Sequence, residues 1–324
     1  MAAEDDAIGR RVPVANWSRI AWLALLLVLI VFPLLEPPVF YVRLIGTVLL
    51  YVVLSESWNI TGGYAGYVSF GHVTFFGIGA YAGALLFVWL GIPPYLATVP
   101  AGVLAAAFAV VVGYPTLRLR GPYFAIATLA LGFVVQLAVA NLPFTGGGEG
   151  IVIRGGMPFE RYALEEAFYF SYLVVAILTV GAVMLVDRSR FGYGLRAIRD
   201  DQDAALSLGV SATRLKLVAF ALSSFFAGAV GAIYAHQVAY VSAPDVFTLD
   251  VSIKSLVYAV VGGTSTVLGP IVGAFSMEIL DIFLTTSALG ALRVDHIVFG
   301  VLLAAAVLVA PRGLVGSRWR SRRG

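Results

Sequence analysis

The sequence predicts an all-α fold: a polytopic bundle of about eight to ten transmembrane helices, some interrupted by glycine, with both termini in the cytoplasm. Three observations carry this. Hydrophobic residues make up 60% of the 324 residues and charged ones only 12%, against roughly 25% charged in soluble domains. Apolar runs of about 20 residues, long enough to cross a ~30 Å hydrocarbon core, recur along the chain. Lys and Arg concentrate in alternate connections, as they do on the cytoplasmic side of membrane proteins.

The same arithmetic excludes other classes. With a mean hydropathy of +0.94, a 34.4 kDa chain this poor in charge cannot cover a water-facing surface. Disorder, a coiled coil and a nucleic-acid-binding domain are ruled out despite a pI near 9.1. The chain has no Cys, which removes disulfides, thiol catalysis and Cys-ligated metals. Its three histidines, His72, His236 and His296, are too scattered for a multi-His metal site. There is no Gly-x-x-x-x-Gly-Lys-Ser/Thr phosphate loop, no His-Glu-x-x-His and no Ser-His-Asp set. No enzymatic activity, cofactor or metal is therefore expected of this chain.

A tail, 1–19, carries Arg10, Arg11 and Arg19 ahead of the first span, 20–36. A signal peptide is the competing reading there, but the run passes into Pro33, Glu36, Pro37 and Pro38 with no small-x-small cleavage pattern. The further spans are 42–60, 63–90, 95–117, 122–142, 167–186, 214–240, 250–265, 267–287 and 294–311. The pair 250–265 and 267–287 reads either as two crossings or as a re-entrant segment plus one crossing. With the N-terminus inside, all of the 21 Lys and Arg except Arg43, Arg154, Arg161, Lys254 and Arg293 fall on the cytoplasmic side. Residues 20–311 then form one membrane domain, followed by a basic tail, 312–324.

Two polar connections stand out. The outer loop, 143–166, is net acidic, with Glu149, Glu160, Glu165 and Glu166. The inner loop, 187–213, sets Leu195, Ile198, Ala204, Ala205 and Leu208 among Arg and Asp, which predicts one or two short amphipathic helices. Gly209 fits a left-handed helix cap. Such a helix must cover its apolar side, on the bilayer or on a partner. The mixed charge favours a partner, because lipid-surface helices are dominated by Lys and Arg.

Two glycine-rich stretches interrupt the apolar pattern. In 61–83, Gly62/Gly66 and Gly79/Gly83 are each four apart, a spacing that puts a pair on one helix face and allows close packing. The first half is too polar for packing alone, and broken helices are tolerated only against protein or a water-filled cavity. The second stretch, 260–274, has Gly262-Gly263 and Gly269-Pro270 around Thr264, Ser265 and Thr266. Such interruptions in both halves point to a translocation path; a hairpin turn at the cytoplasmic surface is the alternative for 262–270. The path candidates are Asn59, Gly62, Gly63, Ser69, His72, Gly262, Gly263, Thr264 and Thr266. Four ionisable residues, Glu56, Lys254, Glu278 and Asp281, fall in or near spans, each at a cost of ~2.5–3.5 kcal/mol in hydrocarbon. Glu278 and Asp281 share a helix face, which suits an ion site in a gradient-driven transporter, an internal ion pair or a subunit contact.

Three motifs resemble one family. SESWNITGGYAGYVSFGHVTFFGIGAYAGALL (55–86), RFGYGLRAIRDDQDAALSLGVSATRLKLVAFALSSFFAGAVGAIYAH (190–236) and VVGGTSTVLGPIVGA (260–274) are similar, in order and spacing over about 40–312, to LivM-type permeases. These are the membrane subunits of branched-chain amino acid ABC importers; related permeases carry urea, amides or other amino acids. In the family, a cytoplasmic Glu-Ala-Ala…Gly sequence forms the helix that enters a cleft of the ATPase. The match here is Asp203-Ala204-Ala205…Gly209, with Asp in place of Glu. The resemblance implies an ATPase contact at Arg196, Arg199, Asp203, Ala204, Ala205 and Gly209. It also implies two cytoplasmic ATPase subunits that bind ATP and Mg, a second permease, an extracytoplasmic binding protein docking on 143–166, and a prokaryotic cytoplasmic membrane.

Overall fold

The structure is a computed structural model and describes residues 14–153, 161–286, 301 and 313–315. Among them, α1 (Val14–Leu34), α2 (Val39–Asn59), α3 (His72–Leu90), α4 (Pro94–Thr116) and α5 (Pro122–Asn141) come first. A two-residue strand β1 (Ile151–Val152) follows, then α6 (Arg161–Arg188), α7 (Arg190–Asp200), α8 (Gln202–Ser207) and α9 (Ala212–Val238). The last elements are β2 (Tyr240–Val241), α10 (Ala243–Val246), α11 (Leu249–Gly262) and α12 (Leu268–Thr286). Seven helical stretches among the described residues are long and apolar enough to cross a membrane, so the chain is an all-α, multi-pass membrane protein. The predicted span 294–311 and most of both tails lie outside the described residues.

The centre of the bundle is built from small residues. Ala101, Ala105 and Ala109, one helical turn apart on α4, are completely buried, as are Ala227, Ala232 and Ala235 on α9. A Cβ on Gly79 of α3 would lie 2.0 Å from the carbonyl oxygen of Gly228 on α9, and one on Gly228 would lie 2.4 Å from Ala105 Cβ. Lipid tails are as apolar as Leu, so helices in a membrane associate through such close backbone approach rather than through hydrophobic burial. Large apolar side chains point outward instead: Ile126, Phe133, Val134 and Leu137 on α5 and Leu185 on α6 are all more than half exposed. A soluble monomer does not carry a patch of this extent.

Two of the predicted spans take a different form in the structure. The span read as 63–90 starts only at His72, because α2 loosens into a π-helical turn at Ile60–Tyr64 and residues 65–71 leave the helix. Gly62 and Gly66 therefore do not share a helix face: Gly62 lies in the π turn and Gly66 beyond it, at φ +75°. Gly79 and Gly83 do share one, facing Gly228 and Ala232. The span read as 250–265 is α11, whose 14 residues measure ~21 Å, too short to cross alone. The chain enters α11 from β2 and α10, with Phe247 stacked on Tyr81 at 6.1 Å between ring centroids. Ser252 near the start of α11 then meets the start of α3, accepting a 2.9 Å hydrogen bond from Val73 N.

At the end of the bundle that holds the 143–166 loop, β1 and β2 pair antiparallel, Ile151 opposite Val241 and Val152 opposite Tyr240. Glu165, which the sequence reading includes in the acidic outer loop, lies in α6 and is buried in an ion pair with Arg43.

The small-residue seam gives a direct test. Gly79→Val drives a side chain into the Gly228 backbone and should cost about 3 kcal/mol or more. Gly181→Ala, on α6 with no atom within 4 Å of the added Cβ, should be neutral or gain up to ~1 kcal/mol from helix propensity. Thermal unfolding of the detergent-purified chain separates the two.

Candidate functional site

The break after α2 exposes backbone groups within the bundle, and side chains from four other segments take them up. Trp58 Nε1 donates to Ser69 O at 2.9 Å, Phe70 N donates to Thr128 Oγ1 at 3.2 Å, and Gly71 N donates to Ser69 Oγ at 3.2 Å. Ser57 Oγ and the buried His72 Nε2 are hydrogen-bonded at 2.8 Å. The second glycine stretch closes on the first. The stretch 262–270 holds the hairpin turn between α11 and α12, and Ser265 N donates to Asn59 Oδ1 at 2.8 Å while Asn59 Nδ2 donates to Thr266 O at 3.0 Å. Ser265 Oγ donates to Gly63 O at 2.6 Å. The hairpin is tight: a Cβ on Gly262 would lie 1.8 Å from Gly269 O, and one on Gly273 1.9 Å from Tyr258 O. Gly263 turns the chain at φ +124°, a conformation that a residue with a side chain rarely adopts.

The polar loop 187–213 is the folded platform that its amphipathic pattern predicts. Ser189 caps α7 by accepting from Gly192 N at 3.1 Å, and Asp201 caps α8 by accepting from Asp203 N and Ala204 N. Gly209 ends α8 at φ +84°. Arg199 ties the platform to the break: its guanidinium bonds Gly63 O at 3.2 Å and Ser265 Oγ, while its Cγ fills the space over Gly66, 2.5 Å from where a Cβ would be. Arg196 donates to Asp187 Oδ1 at 2.8 Å and Asp187 O at 2.7 Å, and its charge lies over the ring of Tyr64 at 5.5 Å. Lys216 Nζ donates to Leu117 O, Tyr67 OH and Gln202 Oε1, fastening α8 to the base of α4 and α9.

Of the six coupling candidates, Arg196 and Arg199 thus hold the platform against the membrane part. Ala205 is turned inward, packed with Ile198 and Ala212. Asp203, Ala204 and Gly209 face out. Asp203 pairs with Arg120 through two 3.0 Å hydrogen bonds, which hold its carboxyl below the usual carboxylate range. The most exposed apolar side chain of the platform is Leu208, at 84%, with Leu206 beside it.

A cavity of about 690 Å³ lies between α2, α11 and α12 and reaches Asp245 and Thr248 near α10. None of the nine path candidates lines it; they are gathered at the break after α2 and at the α11–α12 turn, to which Thr264 belongs. Glu278 and Asp281 do line it, with Lys254. Lys254 Nζ donates to Asp281 Oδ2, and Tyr258 donates to Glu278 Oε2 at 2.8 Å. Glu56 is fully buried nearer the break, with Asn59 Nδ2 3.5 Å from its Oε2. Sequence reasoning left out Tyr67, Gln202, Arg120 and Ser265; only Ser265, flanked by two nominated threonines, carried a local signal.

A helix bundle with an interrupted span, a cavity between its helices and a folded platform at one end has the architecture of a membrane permease. Comparison places it more narrowly. The chain belongs to the family described as branched-chain amino acid transport system / permease component, whose family model matches residues 40–307. It is 33% identical over 257 residues to the high-affinity branched-chain amino acid transport system permease protein LivM of Escherichia coli, covering 71% of this chain and 60% of that one. It is 25% identical over 260 residues to the probable branched-chain amino acid transport permease protein LivH of Methanocaldococcus jannaschii, covering 75% and 81%. Over 198 residues it is 30% identical to the autoinducer 2 import system permease protein LsrC of Klebsiella pneumoniae, covering 56% and 57%. The chain spans about three fifths of the length of the LivM relative. No solved structure matches it.

The clamp at Asn59 is open to measurement. Asn59→Leu leaves Ser265 N and Thr266 O without partners and should lower stability by about 1–3 kcal/mol. Thr264→Ala in the same turn should stay within ~0.5 kcal/mol of the parent. Denaturation midpoints of the two variants decide it.

Proposed function

We propose that the chain is a permease subunit of an ATP-driven importer that moves branched-chain or other small amino acids across a prokaryotic cytoplasmic membrane by alternating access. The observation that carries this reading is the α7–α8 platform. Its basic residues grip the interrupted helices, and its apolar residues Leu206 and Leu208 are left uncovered. An exposed apolar pair on a capped, folded loop suits a protein partner. The partner proposed is a pair of cytoplasmic ATPase subunits that bind ATP and Mg; the chain itself performs no catalysis.

A second permease subunit and an extracytoplasmic binding protein complete the assembly. The relatives' names supply the cargo class, and a loop of relatives named for autoinducer 2 import marks the neighbouring possibility within the same fold. In this mechanism, closure of the ATPase dimer on ATP displaces α8. Arg199 transmits the movement to Gly63 and Ser265, and the Asn59 clamp at the cytoplasmic end of the cavity opens and closes with it.

Two substitutions test the assignment in proteoliposomes holding the complete assembly. Leu208→Glu should abolish co-purification of the ATPase subunits and ATP-dependent leucine uptake while leaving membrane insertion intact. Arg199→Ala should keep the ATPase subunits bound and lower uptake at least tenfold, because the platform stays docked but loses its link to the break. Normal uptake by both variants would overturn the reading. Ala205→Asp is less specific, since the buried Ala205 supports the platform from within.

A further inference from the structure

A groove of about 540 Å³ runs between α1, α2, α6 and α12. All fifteen described residues that line it are apolar, and only Ala176 and Gly181 among them are small. α1 is fastened beside it: Tyr169 OH donates to Leu29 O at 2.7 Å, and the rings of Phe32 and Tyr169 lie 6.4 Å apart. One turn before Leu29, Leu25 and Leu26 line the groove together with Leu173 and Ile177 of α6. The wall recedes at Gly181, where an added Cβ would meet no atom within 4 Å.

The dimensions select the occupant. On α6 the lining runs from Leu173 to Met184, ~16 Å of helix. Spread over at least that length, 540 Å³ gives a cross-section of at most ~33 Å². A helix 10–12 Å across needs ~80 Å² or more. Helix seams in membranes are also built on small residues, which this lining almost lacks. An extended hydrocarbon chain is narrow enough, and one leaflet, half of the ~30 Å core, matches the length. Left unfilled, the gap would forfeit the dispersion contacts of its walls.

Charge marks where such a chain is anchored. Leu173, Ile177, Gly181 and Met184 recur every three or four residues along one face of α6, and Arg188 continues that stripe at the platform end. Arg188 is exposed, with neither an ion pair nor a hydrogen-bond partner among the described residues. Its acidic neighbour Asp187 is held by Arg196 and Tyr64, and Arg190, two residues on, is exposed as well. Basic residues at the end of a span lie at headgroup level and attract lipid phosphate.

We infer that the groove is a phospholipid site of the platform-side leaflet. One acyl chain lies between α1 and α6, along Gly181, and the phosphate sits on Arg188. The seat of α1 on the bundle then has two parts, the Tyr169 contacts and a retained lipid. The site is independent of cargo and of energy source.

Native mass spectrometry tests this on the full chain, reconstituted with dioleoylphosphatidylglycerol vesicles and re-extracted in mild detergent. One phospholipid should be retained per chain. Gly181→Trp, whose ring fills the groove, should lower retention at least tenfold. Leu185→Trp, which adds the same ring at a 74% exposed position of α6, should retain lipid like the parent. Arg188→Gln, at the exposed end of α6, should also lower retention at least tenfold without any change in packing. Dioleoylglycerol, with the same chains and no phosphate, should be held at least tenfold less than the phospholipid. Equal retention by Gly181→Trp and Leu185→Trp, or by Arg188→Gln and the parent, overturns the site. So does equal retention of dioleoylglycerol and phospholipid. Loss of a dimer of this chain in Gly181→Trp, with retained lipid unchanged, assigns the groove to a contact between copies and overturns it as well.

Discussion

Every backbone group freed within a membrane bundle must find a partner inside the protein, and this constraint organises the half of the bundle that holds the α7–α8 platform. The interruption at residues 60–71 releases N–H and C=O groups that a continuous helix would have satisfied. They are taken up by Thr128 from α5, Ser252 from α11, Ser265 from the α11–α12 turn and Arg199 from the platform. Four distant segments are thus held together by one break. Asn59 is the centre of it, since a single amide donates to one side of the hairpin turn and accepts from the other. Each such bond contributes only ~0.5–1.5 kcal/mol net, but leaving its buried partner bare costs ~1–3 kcal/mol. The interruption therefore persists only while the hairpin turn and the platform stay in place.

The scarcity of charge acquires a similar logic. Ionisable groups within the bundle meet partners: Lys254 with Asp281, and Glu278 with Tyr258. Asp187 accepts from both Arg196 and Tyr64 at the platform end. At the opposite end Glu165 is held by Arg43. The exposed Arg120–Asp203 pair contributes little to stability, as surface pairs do, and its role is to orient α8. The pairs on α11 and α12 fasten those two helices to each other along the cavity wall, while the others fasten elements at the two ends of the bundle.

Much of the fold was legible because its signals are local. Long apolar runs mark α2 to α6, α9 and α12, and the mixed apolar and charged pattern marks α7 and α8 with Gly209 at their end. What escaped is non-local. Residues 65–71 read as part of a span because Tyr67, Val68 and Phe70 keep the run apolar, and the break is decided by partners elsewhere. The short α11 read either as a crossing or as a re-entrant segment, because hydropathy does not register where its helix begins. The clamp joins residues 206 positions apart, a pairing no local spacing encodes. For Ala205, the family-like Asp-Ala-Ala spacing located the right segment without saying which side chain faces in. Gly79 and Gly83 were readable because a four-residue spacing fixes a helix face, whereas Gly62 and Gly66 lost that relation when the helix ended.

The two functional regions are linked by the α11–α12 hairpin. Its turn carries Ser265 and Thr266, held by Arg199 and Asn59, while its arms carry Lys254, Glu278 and Asp281 along the cavity. Lys254 precedes Gly262 by about two helical turns, ~12 Å of rise. Between turn and cavity the arms are in backbone contact at Gly262–Gly269 and Gly273–Tyr258, leaving no compressible side-chain layer to absorb a displacement. A push on the turn must therefore move the arms as a unit rather than bend one past the other. Contact alone does not create coupling, which requires two arrangements of similar energy that both ends bias. The break in α2 provides the means for a second arrangement, because a π-helical turn that contains Gly62 and Gly63 can regain or lose helical bonds more readily than a regular helix. The hairpin carries the displacement, and the interruption lets the bundle accept it.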